Sequence, residues 1–238
     1  MGRLVLPFDK IFCLNLCERP DRRDYMERQF RQLGILDQIT WFEVVKHPHT
    51  DFIAASMRDG GLGGTNNGGA FNCTREHYTM IKSSYLKGYN SILILEDDVS
   101  LLNDIDQFSS ILSEIPNSWD ILRFAALWDI TGLEEVMRHS DTWNQVKSRF
   151  WGTTGYALGR EGMRYFIDEI DKKYCNIDTP LFYYSNFLKM YTSRVPLGIV
   201  KRDSYSKSDI QTSGSDTDIL RDPKHFCLQL DYTKYGIV

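Results

Sequence analysis

Three consecutive acidic residues, Glu96, Asp97 and Asp98, have the types and the position that most clearly predict chemistry in this 238-residue chain. They follow a strongly apolar run at residues 91–95, which is typical of a buried strand. Neighbouring carboxylates repel one another unless a cation or solvent relieves the repulsion. Mg²⁺ and Mn²⁺ prefer hard oxygen ligands and complete their shells with water and substrate phosphates. The triplet therefore predicts a Mn²⁺ (or Mg²⁺) site under a nucleotide diphosphate, although a solvated acidic turn or a helix N-cap also explains it.

Segments typical of strands and of helices alternate along the chain. Apolar and β-branched runs predict strands at residues 11–16, 40–45, 91–95, 120–125 and 154–158. Helical spacing of apolar residues predicts helices at residues 22–33, 73–87, 105–115, 161–173 and 180–191. This alternation predicts one α/β domain over residues 1–238, with a predominantly parallel central sheet flanked by helices on both faces. Ligands of such sheets bind outside the carboxyl ends of the strands, where the acidic triplet is expected.

Two further segments have compositions that disfavour regular structure. Residues 60–69 are rich in glycine and are predicted to form a mobile loop. Residues 204–218 are rich in Ser, Thr and Asp and are predicted to form a flexible segment or a lid.

Charge, hydropathy and cysteine content exclude several classes of function. The net charge of −4 disfavours nucleic acid as a partner. No apolar run is long enough for a signal peptide or a membrane span, so we expect a cytoplasmic protein, with peripheral contact to membrane-bound acceptors as a hypothesis. The five cysteines are scattered, which favours reduced packing thiols over a zinc finger or a disulfide framework.

Two segments together resemble glycosyltransferase family 25, which includes lipooligosaccharide galactosyltransferases and collagen hydroxylysine galactosyltransferases. The first is residues 11–23, with an apolar strand, the pair Asn15-Leu16 and an arginine-bearing turn. The second runs from residue 72 to residue 99 and resembles the family's Cys-x-x-Ser-His helix followed by its Leu-Glu-Asp-Asp strand end. Glu76 stands where the family usually has Ser. Weaker similarity continues at residues 155–158, 178 and 208–210, so the resemblance covers nearly the whole chain.

The resemblance implies a GT-A-like fold and an inverting hexosyltransferase of glycan or lipopolysaccharide biosynthesis. It implies UDP-galactose or UDP-glucose as the donor, a divalent cation, and a glycan, lipid-linked glycan or hydroxylated protein as the acceptor. A catalytically inactive relative that binds nucleotide-sugar or carbohydrate is the alternative. A nucleotidyltransferase is disfavoured, because the glycine-rich residues 60–69 contain no Lys or Arg to bind phosphate.

The donor and the cation are predicted to contact residues at the ends of the first and third strands. Asn15, Arg19 and Arg22 are expected at the nucleotide, since planar guanidinium groups suit diphosphate and base edges. Arg22 can equally be a surface residue of a helix. Asp98 is predicted as the principal metal ligand, with Glu96 as a second ligand. Glu96 and Asp97 are expected to be shared between metal, water and the donor ribose.

The base and the acceptor contacts are predicted further along the chain. An inverting transfer needs a group that takes the proton of the acceptor hydroxyl, and carboxylates are the usual choice. Asp178 is the first candidate, although its place before Thr179-Pro180 also suits a helix N-cap, and Asp209 is the second. Trp151 and Tyr156 are predicted to bind the acceptor, because aromatic rings stack on sugar faces, although core packing explains them equally well. His77 either supports the site or forms a core hydrogen bond.

Overall fold

The computed structural model describes residues 4–45, 68–102, 104–126, 136–146, 152–172, 177 and 188–200. Four helices lie in these residues: α1 (Pro20–Gln32), α2 (Gly68–Leu86), α3 (Ile105–Ser113) and α4 (Arg160–Lys172). The strands are β1 (Lys10–Leu16), β2 (Ile39–Val44), β3 (Ser91–Glu96), β4 (Val99–Leu101), β5 (Ile121–Arg123), β6 (Ala125–Ala126), β7 (Val136–Arg138), β8 (Trp143–Val146), β9 (Gly155–Gly159), β10 (Met190–Ser193) and β11 (Gly198–Val200). A short 3-10 helix, Leu36–Gln38, precedes β2.

Eight of the strands form the central sheet, in the order β2-β1-β3-β9-β5-β10-β8-β7. Strands β2, β1, β3, β5, β10 and β7 run in one direction, whereas β9 and β8 run in the opposite direction. Strands β4, β11 and β6 form a second, three-stranded sheet. The predicted arrangement, a predominantly parallel central sheet flanked by helices on both faces, is confirmed.

The two faces of the central sheet are covered by different pairs of helices. Apolar residues of α1 and α3, including Met26 and Phe108, belong to the core on one face. Residues of α2 and α4, including Met80 and Phe166, belong to the core on the other face. Strand β3 contributes Leu93 and Leu95 to the first core and Ile92 and Ile94 to the second. Burial on both faces explains why this strand is apolar at successive positions and does not alternate with polar residues.

The turn from β1 into α1 positions several of the predicted site residues. Pro20 opens the helix two residues earlier than the predicted start at Arg22, because its fixed φ and missing N–H suit the first helical turn. Gly34, with φ 68°, ends the helix. Its N–H donates to the Arg31 carbonyl, and the Ile35 N–H donates to the Phe30 carbonyl, which is the pattern of a glycine-terminated helix.

Three predicted elements differ from the structure. The strand predicted at residues 120–125 is divided between β5 in the central sheet and β6 in the second sheet. The helix predicted at residues 180–191 is wrong at its end, since Met190 begins β10, which pairs with β5 and with β8. A short apolar run cannot be assigned to a helix or a strand from its periodicity, and here the pairing with two strands decides. Gly68 and Gly69, predicted to lie in the glycine-rich loop, begin α2. Residues 60–67, 180–187 and 204–218 lie outside the described residues.

Candidate active site

The acidic triplet meets the turn after β1 at one edge of the central sheet. Strands β1 and β3 are parallel neighbours, with Leu14 opposite Glu96. Asn15 lies at the end of β1, Arg19 in the turn and Arg22 in the first turn of α1. Because parallel neighbours end at the same edge, residues about 80 positions apart in sequence are brought together. The structure thus brings together the residues that were predicted to bind the nucleotide-sugar donor, in and after β1, and those predicted to bind the metal, at the end of β3.

Asp97 ties these segments together. Its Oδ1 accepts a hydrogen bond from Arg22 Nη1 at 2.8 Å, and its Oδ2 accepts from Asn15 Nδ2 at 2.8 Å and from the Leu16 N–H at 3.4 Å. The Asp97 residue is 6% exposed, and 13% of the Arg22 side chain is exposed. Both carboxylate oxygens therefore have protein donors. This geometry makes Asp97 a link between β1, α1 and β3, and its contact with metal or ribose stays a prediction.

Asp98 has a different environment. Its Oδ2 lies 3.5 Å from Arg22 Nη1, whereas its Oδ1 is buried and has no hydrogen-bond partner among the described residues. The pKa of Asp98 is raised to about 7, mainly by burial and then by the charge of Glu96, while Arg22 opposes both effects. A buried carboxylate oxygen without a partner is costly, and a bound cation would remove that cost. The environment fits the predicted role of Asp98 as a metal ligand.

Glu96 is held by groups from two other elements. Its Oε1 accepts a hydrogen bond from Thr153 Oγ1 at 2.6 Å and lies 3.3 Å from Nε2 of the fully buried His77. Burial acts to raise the pKa of Glu96, but its interactions with His77 and Thr153 outweigh burial and hold the pKa below its usual value. Glu96 therefore carries a negative charge beside Asp98. Thr153 was not among the predicted site residues, because nothing in its local sequence pattern distinguishes it.

Tyr156 lies on β9 and is buried beside His77 and not on an open surface. It is 1% exposed, and its ring stacks between His77, with centroids 5.8 Å apart, and Phe166, with centroids 6.0 Å apart. Its hydroxyl lies 2.8 Å from His77 Nδ1, and burial raises the pKa of the phenol well above its usual value. The described contact of Tyr156 with the site is through this hydroxyl, and its role in acceptor binding stays a prediction. Trp151, Asp178 and Asp209 lie outside the described residues.

Arg19 is paired with an acid that solvent can reach. Its Nε and Nη2 donate to the two carboxylate oxygens of Asp21 at 2.9 and 2.8 Å. The Asp21 side chain is 64% exposed, and Arg19 lowers the pKa of this carboxyl to about 2. Solvent therefore reaches the acid that pairs with Arg19, and a guanidinium in this position is of the type that binds phosphate oxygens, which is consistent with the predicted contact to the donor.

Two sets of side chains in the described part of the chain have to be compared as cation ligands. The first is the predicted pair Asp98 and Glu96, whose carboxylate oxygens are of the type that suits Mg²⁺ or Mn²⁺ and which stays a prediction. The second is mixed and consists of Cys73, His77 and Glu96, whose ligand atoms all lie within 4.8 Å of one another. The first set was predicted from the acidic triplet. Cys73 and His77 stood in the sequence one helical turn apart, but only the fold brings Glu96 to them.

The sequence of this chain matches a known protein family. Residues 8–181 match the sequence model of glycosyltransferase family 25, described as an LPS biosynthesis protein. The chain belongs to glycosyltransferase family 25. The resemblance at residues 11–23 and 72–99 is confirmed.

Three proteins that this chain matches share little sequence identity with it. A stretch of 104 residues is 26% identical to the lacto-N-neotetraose biosynthesis glycosyltransferase LgtE of Neisseria meningitidis serogroup B, and it covers 40% of the chain and 37% of LgtE. The mannose-1-phosphate geranyltransferase of Thermus thermophilus has a TM-score of 0.46 and 10% identity, over 81% of this chain and 74% of that one. A glycosyltransferase involved in the glycosylation of the major capsid of PBCV-1 has a TM-score of 0.41 and 12% identity, over 82% of each chain.

Among its described residues, this family 25 glycosyltransferase has no helix that is both long enough and apolar enough to cross a bilayer.

Proposed function

We propose that this chain is a metal-dependent, inverting glycosyltransferase that moves a hexose, galactose or glucose, from a UDP-sugar to an acceptor. The acceptor would be a glycan, a lipid-linked glycan or a hydroxylated protein. The observation that carries the proposal is the pair of acids at the end of β3 and just beyond it. The pKa of Glu96 is held below its usual value, and Asp98 has a buried carboxylate oxygen without a hydrogen-bond partner among the described residues. In a family 25 glycosyltransferase, such a pair supports a cation site for the donor diphosphate.

The two acids have the chemistry that Mn²⁺ or Mg²⁺ requires. Asp98 and Glu96 would hold the cation through carboxylate oxygens, and Asp97 has little capacity left for it because protein donors already occupy both of its oxygens. A cation bound there would supply positive charge for the departing diphosphate. Arg22, beside Asp97 and Asp98, limits the repulsion within the triplet. Arg19, whose partner is exposed, would bind a phosphate oxygen of the donor.

The inverting step requires a base on the acceptor side. The acceptor hydroxyl oxygen forms a bond to the anomeric carbon as the bond from that carbon to UDP breaks, and the base takes the hydroxyl proton. Asp178 is the first candidate for this base and Asp209 the second. Both stay predictions, as does the sugar contact of Trp151.

Release of UDP from a panel of UDP-sugars tests the proposed function. With Mn²⁺ present, we expect turnover of one donor, UDP-galactose or UDP-glucose, and we expect a chelator to abolish it. The exposed substitution Asp106→Asn on α3 serves as the control and should leave turnover unchanged, since this residue lies outside the site. Binding of a UDP-sugar without turnover in the presence of candidate acceptors would indicate an inactive relative. Failure of every UDP-sugar to bind with Mn²⁺ present would contradict the donor site.

A further inference from the structure

Cys73, His77 and Glu96 form a compact cluster behind the acidic triplet. Cys73 and His77 lie four residues apart on α2, and residues at this spacing share one face of a helix. Glu96, at the end of β3, lies against that face. The thiol sulfur, the imidazole nitrogen and the carboxylate oxygen lie within 4.8 Å of one another. The cluster combines a soft, a borderline and a hard ligand atom, a set that differs from the all-oxygen pair of Asp98 and Glu96.

The imidazole of His77 is oriented as it is in metal sites. Its Nδ1 lies 2.8 Å from the Tyr156 hydroxyl, and the Tyr156 ring is fixed by stacking on Phe166. His77 Nε2 therefore points into the cluster. This nitrogen is buried and lies 3.3 Å from Glu96 Oε1, and it has no hydrogen-bond partner in the described residues. A ligating histidine is usually held in this way, through a hydrogen bond at its other ring nitrogen.

We propose that Cys73, His77 and Glu96 form a binding site for Zn²⁺ or a similar borderline cation. Zinc bonds of 2.0–2.3 Å in tetrahedral geometry separate neighbouring ligand atoms by about 3.3–3.8 Å. The distance between His77 Nε2 and Glu96 Oε1, 3.3 Å, already has this value. The separations that involve the thiol sulfur are at most 4.8 Å, so zinc binding would shorten them by up to roughly 1 Å. Binding would release the thiol proton of Cys73 to solvent, and water would complete the shell.

The choice of cation follows from the ligand types. Thiolate and imidazole favour zinc over Mg²⁺ and Mn²⁺, which prefer oxygen. The site would therefore select a different ion from the donor site while sharing Glu96 with it. If the proposed function is correct, zinc bound here would compete for Glu96 and inhibit transfer. The existence of the zinc site does not depend on that function.

A titration of the reduced, metal-free, full-length chain with Co²⁺ tests the site directly. Cobalt replaces zinc and gives a near-ultraviolet absorption band only when a thiolate ligates it. We expect this band in the wild type and its disappearance when Zn²⁺ is added. Cys73→Ser should lose the band, whereas Cys17→Ser, which changes an exposed thiol, should keep it. Circular dichroism and thermal melting would verify that both variants fold.

Two outcomes would overturn the assignment. A wild-type protein without a thiolate band would exclude the site, and a band that survives Cys73→Ser would mean that another cysteine provides the sulfur. The variant Tyr156→Phe tests whether the Tyr156 hydroxyl orients His77 for metal binding. Because it removes the hydroxyl that orients His77, it should keep the band and weaken cobalt affinity about 10-fold, the usual effect of losing such a partner. An unchanged affinity in this variant would contradict the orientation of His77 described above.

Discussion

The variant Asp98→Asn should lose sugar transfer and at the same time make the metal-free protein more stable. The carboxylate is mostly buried and one of its oxygens has no partner in the described residues, so its charge destabilises the fold when no cation is bound. An amide has no charge to desolvate. We expect transfer to fall at least about 100-fold, the usual effect of removing one strong electrostatic contact to a transition state. The metal-free variant should gain about 1–3 kcal/mol at pH 8.

The pH dependence of stability provides an internal check on this prediction. The pKa of Asp98 is raised to about 7 in the folded protein, above the value of about 4 expected in the unfolded chain. The folded state therefore binds this proton more tightly. The cost of the charge is full above pH 7, shrinks as the pH falls below 7 and vanishes near pH 4.

Thermal melting in the presence of a chelator at pH 6, 7 and 8 measures both effects. The melting temperature of Asp98→Asn should exceed that of the wild type by a margin that grows with pH. The control Asp106→Asn, which changes an exposed acid, should show no such growth. A variant that retains transfer, or that melts below the wild type at pH 8, would contradict the role given to Asp98.

The variant Arg22→Met should be strongly destabilised, because it removes the cation that pairs with Asp97 and Asp98. Breaking a buried ion pair from one side leaves an uncompensated charge, at a typical cost of about 3–5 kcal/mol. The double variant Arg22→Met with Asp97→Asn should recover part of the lost free energy of unfolding, because a neutral amide replaces the unpaired carboxylate of Asp97. Urea unfolding of the two single variants and the double variant measures the coupling between the side chains.

Arg31→Met is a matched control for this cycle. Arg31 also lies on α1 and pairs with Glu27 at 2.9 Å, but 65% of its side chain is exposed. Its loss should cost less than about 1 kcal/mol. If Arg22→Met lowered the free energy of unfolding no more than Arg31→Met, the pairing of Arg22 with Asp97 and Asp98 would not hold the turn after β1 against the end of β3.

Parts of this site could be predicted from local sequence and others could not. The acidic triplet was recognisable because β3 is apolar on both faces and ends abruptly in acids. The contact between Arg22 and Asp97 spans 75 residues and depends on the register in which Leu14 lies opposite Glu96. That register follows from tertiary packing, and no local pattern encodes it. Arg22 could therefore be proposed as a donor ligand, but its position between two carboxylates could not.

Tertiary packing also determines the role of His77, which local sequence could not distinguish from that of a core histidine. Its partner Tyr156 lies 79 residues away in sequence, and each residue alone fits a core position. Only the antiparallel pairing of β9 with β3 places the tyrosine hydroxyl beside the histidine and Thr153 beside Glu96. Secondary structure was most predictable where a pattern was long, as in α1 and β3. It was wrong at Met190–Ser193, where a short run joins the sheet between two strands.

Binding of Mn²⁺ to the purified protein, followed by electron paramagnetic resonance with and without UDP, tests the central proposal most directly. The proposal is that Asp98 and Glu96 hold a cation for the donor diphosphate. It predicts that the wild type binds Mn²⁺, that UDP strengthens this binding because the diphosphate completes the metal shell, and that Asp98→Asn loses the effect of UDP. Equal Mn²⁺ binding by the wild type and Asp98→Asn, with no response to UDP in either, would contradict it.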